Sequence, residues 1–375
     1  MNRRHFLHPG RLAAAARQVL GSFDFQSADT REATEEMALL RFSRRAMATT
    51  FEVMFPFGTS DVNSAAETAL DEIDRLEDQL TVYRQESEVS RLNQRAASES
   101  VPVEESLFQL LSRCARLTQE TFGAFDISTG ALNKAWGFYR RAGRVPSADE
   151  RAEVSQRVGM NNVILDPEQR SVRFLQPGLE INLGSIGKGY ALDRAASILR
   201  QRGIRSALLH GGHSSVYAIG NFTTDFRAPT DFRAPTVREG DTSPGWPVGI
   251  RHPWNPKRRL ALTWLHDQAL GTSAATFQHL EHEGRKLGHI LDPRTGWPAE
   301  NLASASVLAP TAADADALAT AFFILGVDKA RLYCENHPEI GAVLLPADES
   351  TEPVVLGAAT DCVQLIPAEV ESQVS

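Results

Sequence analysis

Two rhythms of apolar and polar positions run along this chain. Ala66, Leu70, Ile73, Leu76 and Leu80 recur every three or four residues, which predicts an amphipathic helix that Ser60 or Asp61 can cap. Leu107, Leu110, Leu111, Cys114 and Leu117 form a second such stripe, over residues 104–120. Short apolar runs predict strands at 51–57, 179–183 and 206–210, and further strands near 215–219, 247–251, 259–265, 303–309 and 341–345. Residues 162–165 and 172–175 flank Asp166-Pro167-Glu168-Gln169 and read as a hairpin. Two more helices are expected, one over 190–202 ended by Gly203 and one over 313–325 stopping at Gly326. Helices and strands mix without a regular βαβ alternation. The expected fold class is therefore α+β, with mixed sheets and packed helices.

The same pattern divides the chain. Residues 1–40 read as a tail or targeting segment, 41–365 as one domain, and 366–375 as a C-terminal tail. Thr224-Asp225-Phe226-Arg227-Ala228-Pro229 is followed at once by an identical second copy, 230–235. Two hexapeptides cannot stack into a solenoid. The stretch 221–245 is thus a duplicated surface loop between strands.

Composition narrows the function. Of the 375 residues 42% are hydrophobic, enough for a sizeable core, and the formal net charge is −8. A general nucleic-acid binder needs a basic face to displace phosphate counterions, so that class is set aside. Three scattered cysteines, Cys114, Cys334 and Cys362, make neither a disulfide framework nor a zinc pattern. The sequence contains no run of about 18 apolar residues, so no transmembrane segment is expected. Asn2-Arg3-Arg4-His5-Phe6-Leu7 resembles a twin-arginine signal, but Arg11 and Arg17 interrupt the apolar stretch that should follow. Both a cytoplasmic and an exported, envelope-side location stay open.

Three local patterns carry chemistry. Gly184-Ser185-Ile186-Gly187-Lys188-Gly189 lies between an expected strand and an expected helix. Such glycines let backbone N–H groups approach an anion, and Lys188 adds positive charge. The spacing is not that of a Walker A loop. Asp316 and Thr320 stand four apart on an apolar helix, which puts a carboxylate and a hydroxyl on one face; these are hard oxygen ligands suited to magnesium. His289 precedes the turn sequence Asp292-Pro293-Arg294-Thr295-Gly296 and can serve as an acid or base. Each pattern alone also has a bland reading: a turn before a core helix, a polar helix face, a structural histidine.

Taken in order, with Met47-Ala48-Thr49, Leu80-Thr81-Val82-Tyr83-Arg84, Ser87 to Asn93, Gly123 to Gly130, Trp136-Gly137-Phe138, Trp246 to Arg251 and Thr272-Ser273, these patterns resemble the ApbE family of FAD:protein FMN transferases. The resemblance spans about residues 43–345. It implies magnesium held by the Gly187 carbonyl, Asp316 and Thr320. It also implies FAD contacts at Met47, Tyr83, Ala124, Phe125, Asp126, Gly184, Lys188, Tyr190, Ile290 and Leu291, with His289 as the catalytic candidate. The implied reaction transfers the FMN half of FAD to a threonine or serine hydroxyl of an acceptor flavoprotein and releases AMP. Two alternatives use the same parts: a magnesium-dependent FAD pyrophosphatase and a non-catalytic flavin-binding protein. The chain departs from the family pattern in three places. Gly187 replaces the usual alanine, His213 follows Gly211-Gly212 where an aspartate is usual, and Ala274-Ala275 follows Thr272-Ser273 where Gly-Asp is usual.

Overall fold

A computed structural model describes residues 39–140, 143–222, 245–255, 257–274, 279–282, 285–348 and 352–367. The twin-arginine-like segment and the duplicated hexapeptide lie outside the described residues. The centre is an eight-stranded sheet: β1 (Leu39–Ala46), β2 (Thr49–Pro56), β3 (Ala207–Gly211), β4 (Ser215–Ile219), β5 (Ala269–Ala274), β6 (Leu302–Ala309), β7 (Gly341–Pro346) and β8 (Val354–Gly357). Spatial order follows chain order, and every neighbouring pair is antiparallel.

Both faces of this sheet are covered, which explains why β6 is buried at all eight positions and shows no alternation. One face carries the long helices α1 (Val62–Leu80), α3 (Gly187–Gln201) and α4 (Ala312–Asn336), and α2 (Glu105–Glu120) belongs to the same core. The other packs on a small sheet made of 246–251, 259–265 and 363–365. Along β4 the alternation is explicit: Val216 and Ala218 point to the small sheet, Tyr217 and Ile219 to the helices. The α+β expectation holds, and the chain covers the sheet with mixed elements rather than βαβ units.

Several local expectations are corrected. β1 was not among the expected strands, and it begins two residues inside the expected tail. It pairs with β2 from Leu39↔Pro56 to Ala46↔Thr49 through a turn at Met47 and Ala48, whose φ values are 48° and 59°. That geometry normally signals itself by Asn-Gly, and this turn has neither residue. Asp61 stands at the N-cap of α1 but is left-handed and makes no side-chain cap. Residues 179–183 form no strand; only an isolated bridge, Thr129↔Glu180, occurs there. Instead the Asn93 side chain takes both backbone groups of Ile181, at 2.8 and 2.9 Å. α3 begins at Gly187, three residues earlier than the glycines suggested. The last helix does break at Gly326 (φ 77°, ψ −178°), yet it resumes and runs to Asn336. Asn301 donates to the Ile324 carbonyl at 2.9 Å, serving an acceptor near the break.

Candidate active site

The first N–H groups of any helix lack intrahelical partners. Where α3 and α4 begin, each helix supplies a carboxylate to the other. Asp316 Oδ2 accepts from the Gly189 amide at 2.8 Å. Asp193 accepts from the amides of Ala312 and Ala313 at 2.7 and 3.0 Å. Only glycine allows this approach, since a Cβ at residue 189 would stand 2.0 Å from the Ala312 carbonyl oxygen. A Cβ at Gly271 of β5 would stand 2.4 Å from the Ala315 carbonyl, so α4 also lies close on the sheet. From the far side Arg113 of α2 pairs with Asp314 and donates to Thr311 Oγ1 at 2.7 Å.

Asp316 is 6% exposed, and its second oxygen accepts from Ser215 Oγ at 2.7 Å. Burial pushes its pKa up; Lys188, Ser215 and the Gly189 amide oppose that rise. One turn on, Thr320 Oγ1 lies 3.2 Å from Ser273 Oγ and donates to the Asp316 carbonyl at 3.3 Å. The two patterns read separately from sequence are thus one structure.

This junction floors a cleft of about 570 Å³. Asp316, Thr320, Lys188 and Gly184 line it at the floor, and His289, Ile290 and Leu291 line it beside the 285–288 strand. Tyr83, Ala124, Phe125 and Asp126 also line it. Met47, Gly187 and Tyr190 do not. Met47 occupies the β1–β2 turn and packs on the core, Gly187 is the buried first residue of α3, and Tyr190 packs on the same core. The Asp126 carboxylate is engaged by the protein: Oδ1 accepts from the Ser128 amide and hydroxyl, and Oδ2 accepts from the Met160 amide at 2.9 Å. Its role in the fold is to tie the 126–128 turn to residues 159–160, and burial raises its pKa.

Tyr83 is 67% exposed at the mouth, its ring centroid 4.6 Å from that of Tyr139. Tyr139 Oη donates to the Val82 carbonyl at 2.6 Å, which pins the pair. Behind His289 the expected turn is present: Asp292 accepts from the Arg294 amide at 3.0 Å, and Gly296 N–H donates to the Asp292 carbonyl at 2.8 Å. His213 lines the cleft as well; burial lowers its pKa, with Arg251 and His210 acting in the same direction. Sequence reasoning passed over Tyr139, Asn182 and Ser215, and gave Ser185 no role of its own. Ser185 lies inside the glycine motif and Asn182 adjoins it, while Ser215 had only its place after Gly211-Gly212 as a signal. Among the described residues no three of His, Cys, Asp or Glu converge.

The sequence model of the ApbE family matches residues 47–344. The chain belongs to the ApbE family. The FAD:protein FMN transferase of Treponema pallidum is 32% identical over 299 residues, covering 77% of this chain and 79% of that relative. One from Klebsiella pneumoniae is 32% identical over 279 residues, covering 73% and 79%. The crystal structure of the ApbE protein of Thermotoga maritima superimposes with a TM-score of 0.71 at 26% identity, over 86% of this chain and 98% of that one. The apo form of the Pseudomonas stutzeri flavinyl transferase ApbE gives 0.71 at 25% identity, over 87% and 96%. The ApbE match contains every cleft residue named above.

Proposed function

We propose that this protein transfers the FMN half of FAD to a threonine or serine hydroxyl of an acceptor flavoprotein and releases AMP. The observation that carries this reading is the interlocked start of α3 and α4, where a buried carboxylate, a lysine and a glycine cradle meet in one cleft. A pyrophosphate needs cationic charge, which Lys188 brings to the cleft wall, and the flavin and adenine rings need apolar or aromatic walls, such as Phe125 and Tyr83.

The donor set fits magnesium. The Asp316 carboxylate has about four lone-pair sites, and the contacts to Gly189 and Ser215 use two. Thr320 adds a hydroxyl within one helical turn; the third ligand that the resemblance implies, the Gly187 carbonyl, belongs to a residue at the start of α3 that does not itself line the cleft. All are hard oxygens, and a site with one carboxylate leaves positions for water and phosphate, as magnesium prefers. A magnesium ion held by these oxygens would supply positive charge to the pyrophosphate.

The chain's own residues do the rest. Lys188, which lines the cleft, orients the phosphates. The acceptor oxygen attacks the phosphorus on the FMN side, a new P–O ester forms, and AMP leaves with the bridging oxygen. His289, which lines the cleft, takes the acceptor's proton, as a histidine ring nitrogen can. The test is incubation with FAD, magnesium and a candidate acceptor, followed by mass spectrometry. A covalent FMN adduct with matching AMP supports transfer. FMN and AMP without an adduct would mean hydrolysis, and unchanged FAD would mean binding alone.

A further inference from the structure

We propose that Asp193 is a positioning residue: by capping α4 from α3 it fixes where the Asp316 carboxylate stands over the glycine cradle. The proposal rests on the reading of Asp316 as the cation's carboxylate.

At the start of α4 the Thr311 hydroxyl accepts from the Asp314 amide at 3.2 Å. The amides of Ala312 and Ala313 belong to residues at most 1% exposed, and both donate to Asp193. Losing that carboxylate would leave two buried donors to find another arrangement, which a helix start does only by shifting. The shift would fall where there is no slack, because Gly189 already touches the Ala312 carbonyl. Asp316 lies one turn further along the same helix. Its bonds to the Gly189 amide and Ser215 hydroxyl, at 2.8 and 2.7 Å, would move with it. Asp193 itself does not line the cleft, so its effect passes through α4. Arg113 attracts it and Asp314 repels it.

The test compares wild type, Asp193→Asn, Asp193→Glu and Asp316→Asn. Magnesium is titrated with FAD present, and two quantities are read: the rise in melting temperature and the rate of AMP release. Asparagine offers one acceptor for two amides. The half-saturating magnesium concentration in Asp193→Asn should therefore rise about tenfold or more in both readouts, the scale seen when groups orienting a metal ligand are removed. FAD affinity in EDTA should stay within about twofold of wild type on the same reasoning. Asp193→Glu, which restores two acceptors, should recover part of the lost magnesium affinity. A folded Asp193→Asn with a lower melting temperature but wild-type magnesium dependence would overturn the proposal. So would loss of fold in both Asp193 variants, because Asp193 would then be a stability residue. Unchanged magnesium dependence in Asp316→Asn is a different failure; it overturns the cation reading and the proposal with it.

Discussion

Asp316→Asn separates a cation ligand from a structural aspartate. The substitution keeps side-chain size and removes one charge from a site that is 6% exposed. The present partners can accommodate an amide: its oxygen accepts the Gly189 N–H, and its NH₂ donates to Ser215, whose hydroxyl rotates to accept. Hydrogen bonds to a charged group are worth about 1.5–3 kcal/mol and neutral ones about 0.5–1.5. Over two bonds the exchange loses roughly 2 kcal/mol. Removing a buried charge offsets part of this, since burial is the largest influence on the Asp316 pKa and opposes the carboxylate. At about 2–4 °C per kcal/mol, the melting temperature should change by less than about 8 °C. Activity should respond differently. Gly187 and Thr320 are neutral donors, so the protein would offer the ion no charge. Electrostatic help at a breaking phosphoryl bond amounts to several kcal/mol, and each 1.36 kcal/mol is tenfold. AMP release should therefore fall about 100-fold or more, with partial rescue by high magnesium or manganese. The assay is AMP formation by chromatography alongside a melting curve. A folded Asp316→Asn releasing AMP within about threefold of wild type would refute the reasoning.

Gly189→Ala places a methyl group 2.0 Å from the Ala312 oxygen and 2.7 Å from the Ala313 nitrogen. It should separate the two helices, lower stability by about 1–3 kcal/mol and reduce AMP release, as denaturant titration and the same assay would show. His289→Ala should lower turnover by about 10²–10⁴-fold while FAD remains bound in calorimetry; wild-type turnover would make His289 structural. His213, held below its ordinary value of 6.5 by burial, Arg251 and His210, gives a pH prediction. Its contribution to stability is complete above pH 6.5 and is lost as the pH falls, because the unfolded chain takes up the proton first. The melting temperature of wild type should thus drop more between pH 7 and pH 5 than that of His213→Gln; equal drops would remove His213 from the pH response.

Periodic and contiguous features were legible in the chain alone. The apolar stripe of Val62–Leu80, the hairpin of Val163–Asp166 with Ser171–Phe174, and the unbroken apolar run of Leu302–Ala309 were all legible, because burying one face imposes a short repeat. Asp316 and Thr320 shared a face for the same reason, since a helix puts i and i+4 side by side. Contacts between distant residues arise from the fold and were not legible. β1 is an edge strand carrying Arg41, Arg44 and Arg45, and pairing with β2 makes it a strand where its composition does not. Residues 179–183 have the composition of a strand, but the Asn93 side chain, 88 positions away, satisfies Ile181 and removes the need for a ladder. The exchange of carboxylates between α3 and α4 joins Asp193 to Ala312 across 119 positions and Gly189 to Asp316 across 127. A hydrogen bond across such a separation leaves no periodic mark in the chain. It exists only once the sheet has brought the two helix starts together and glycine has let them touch.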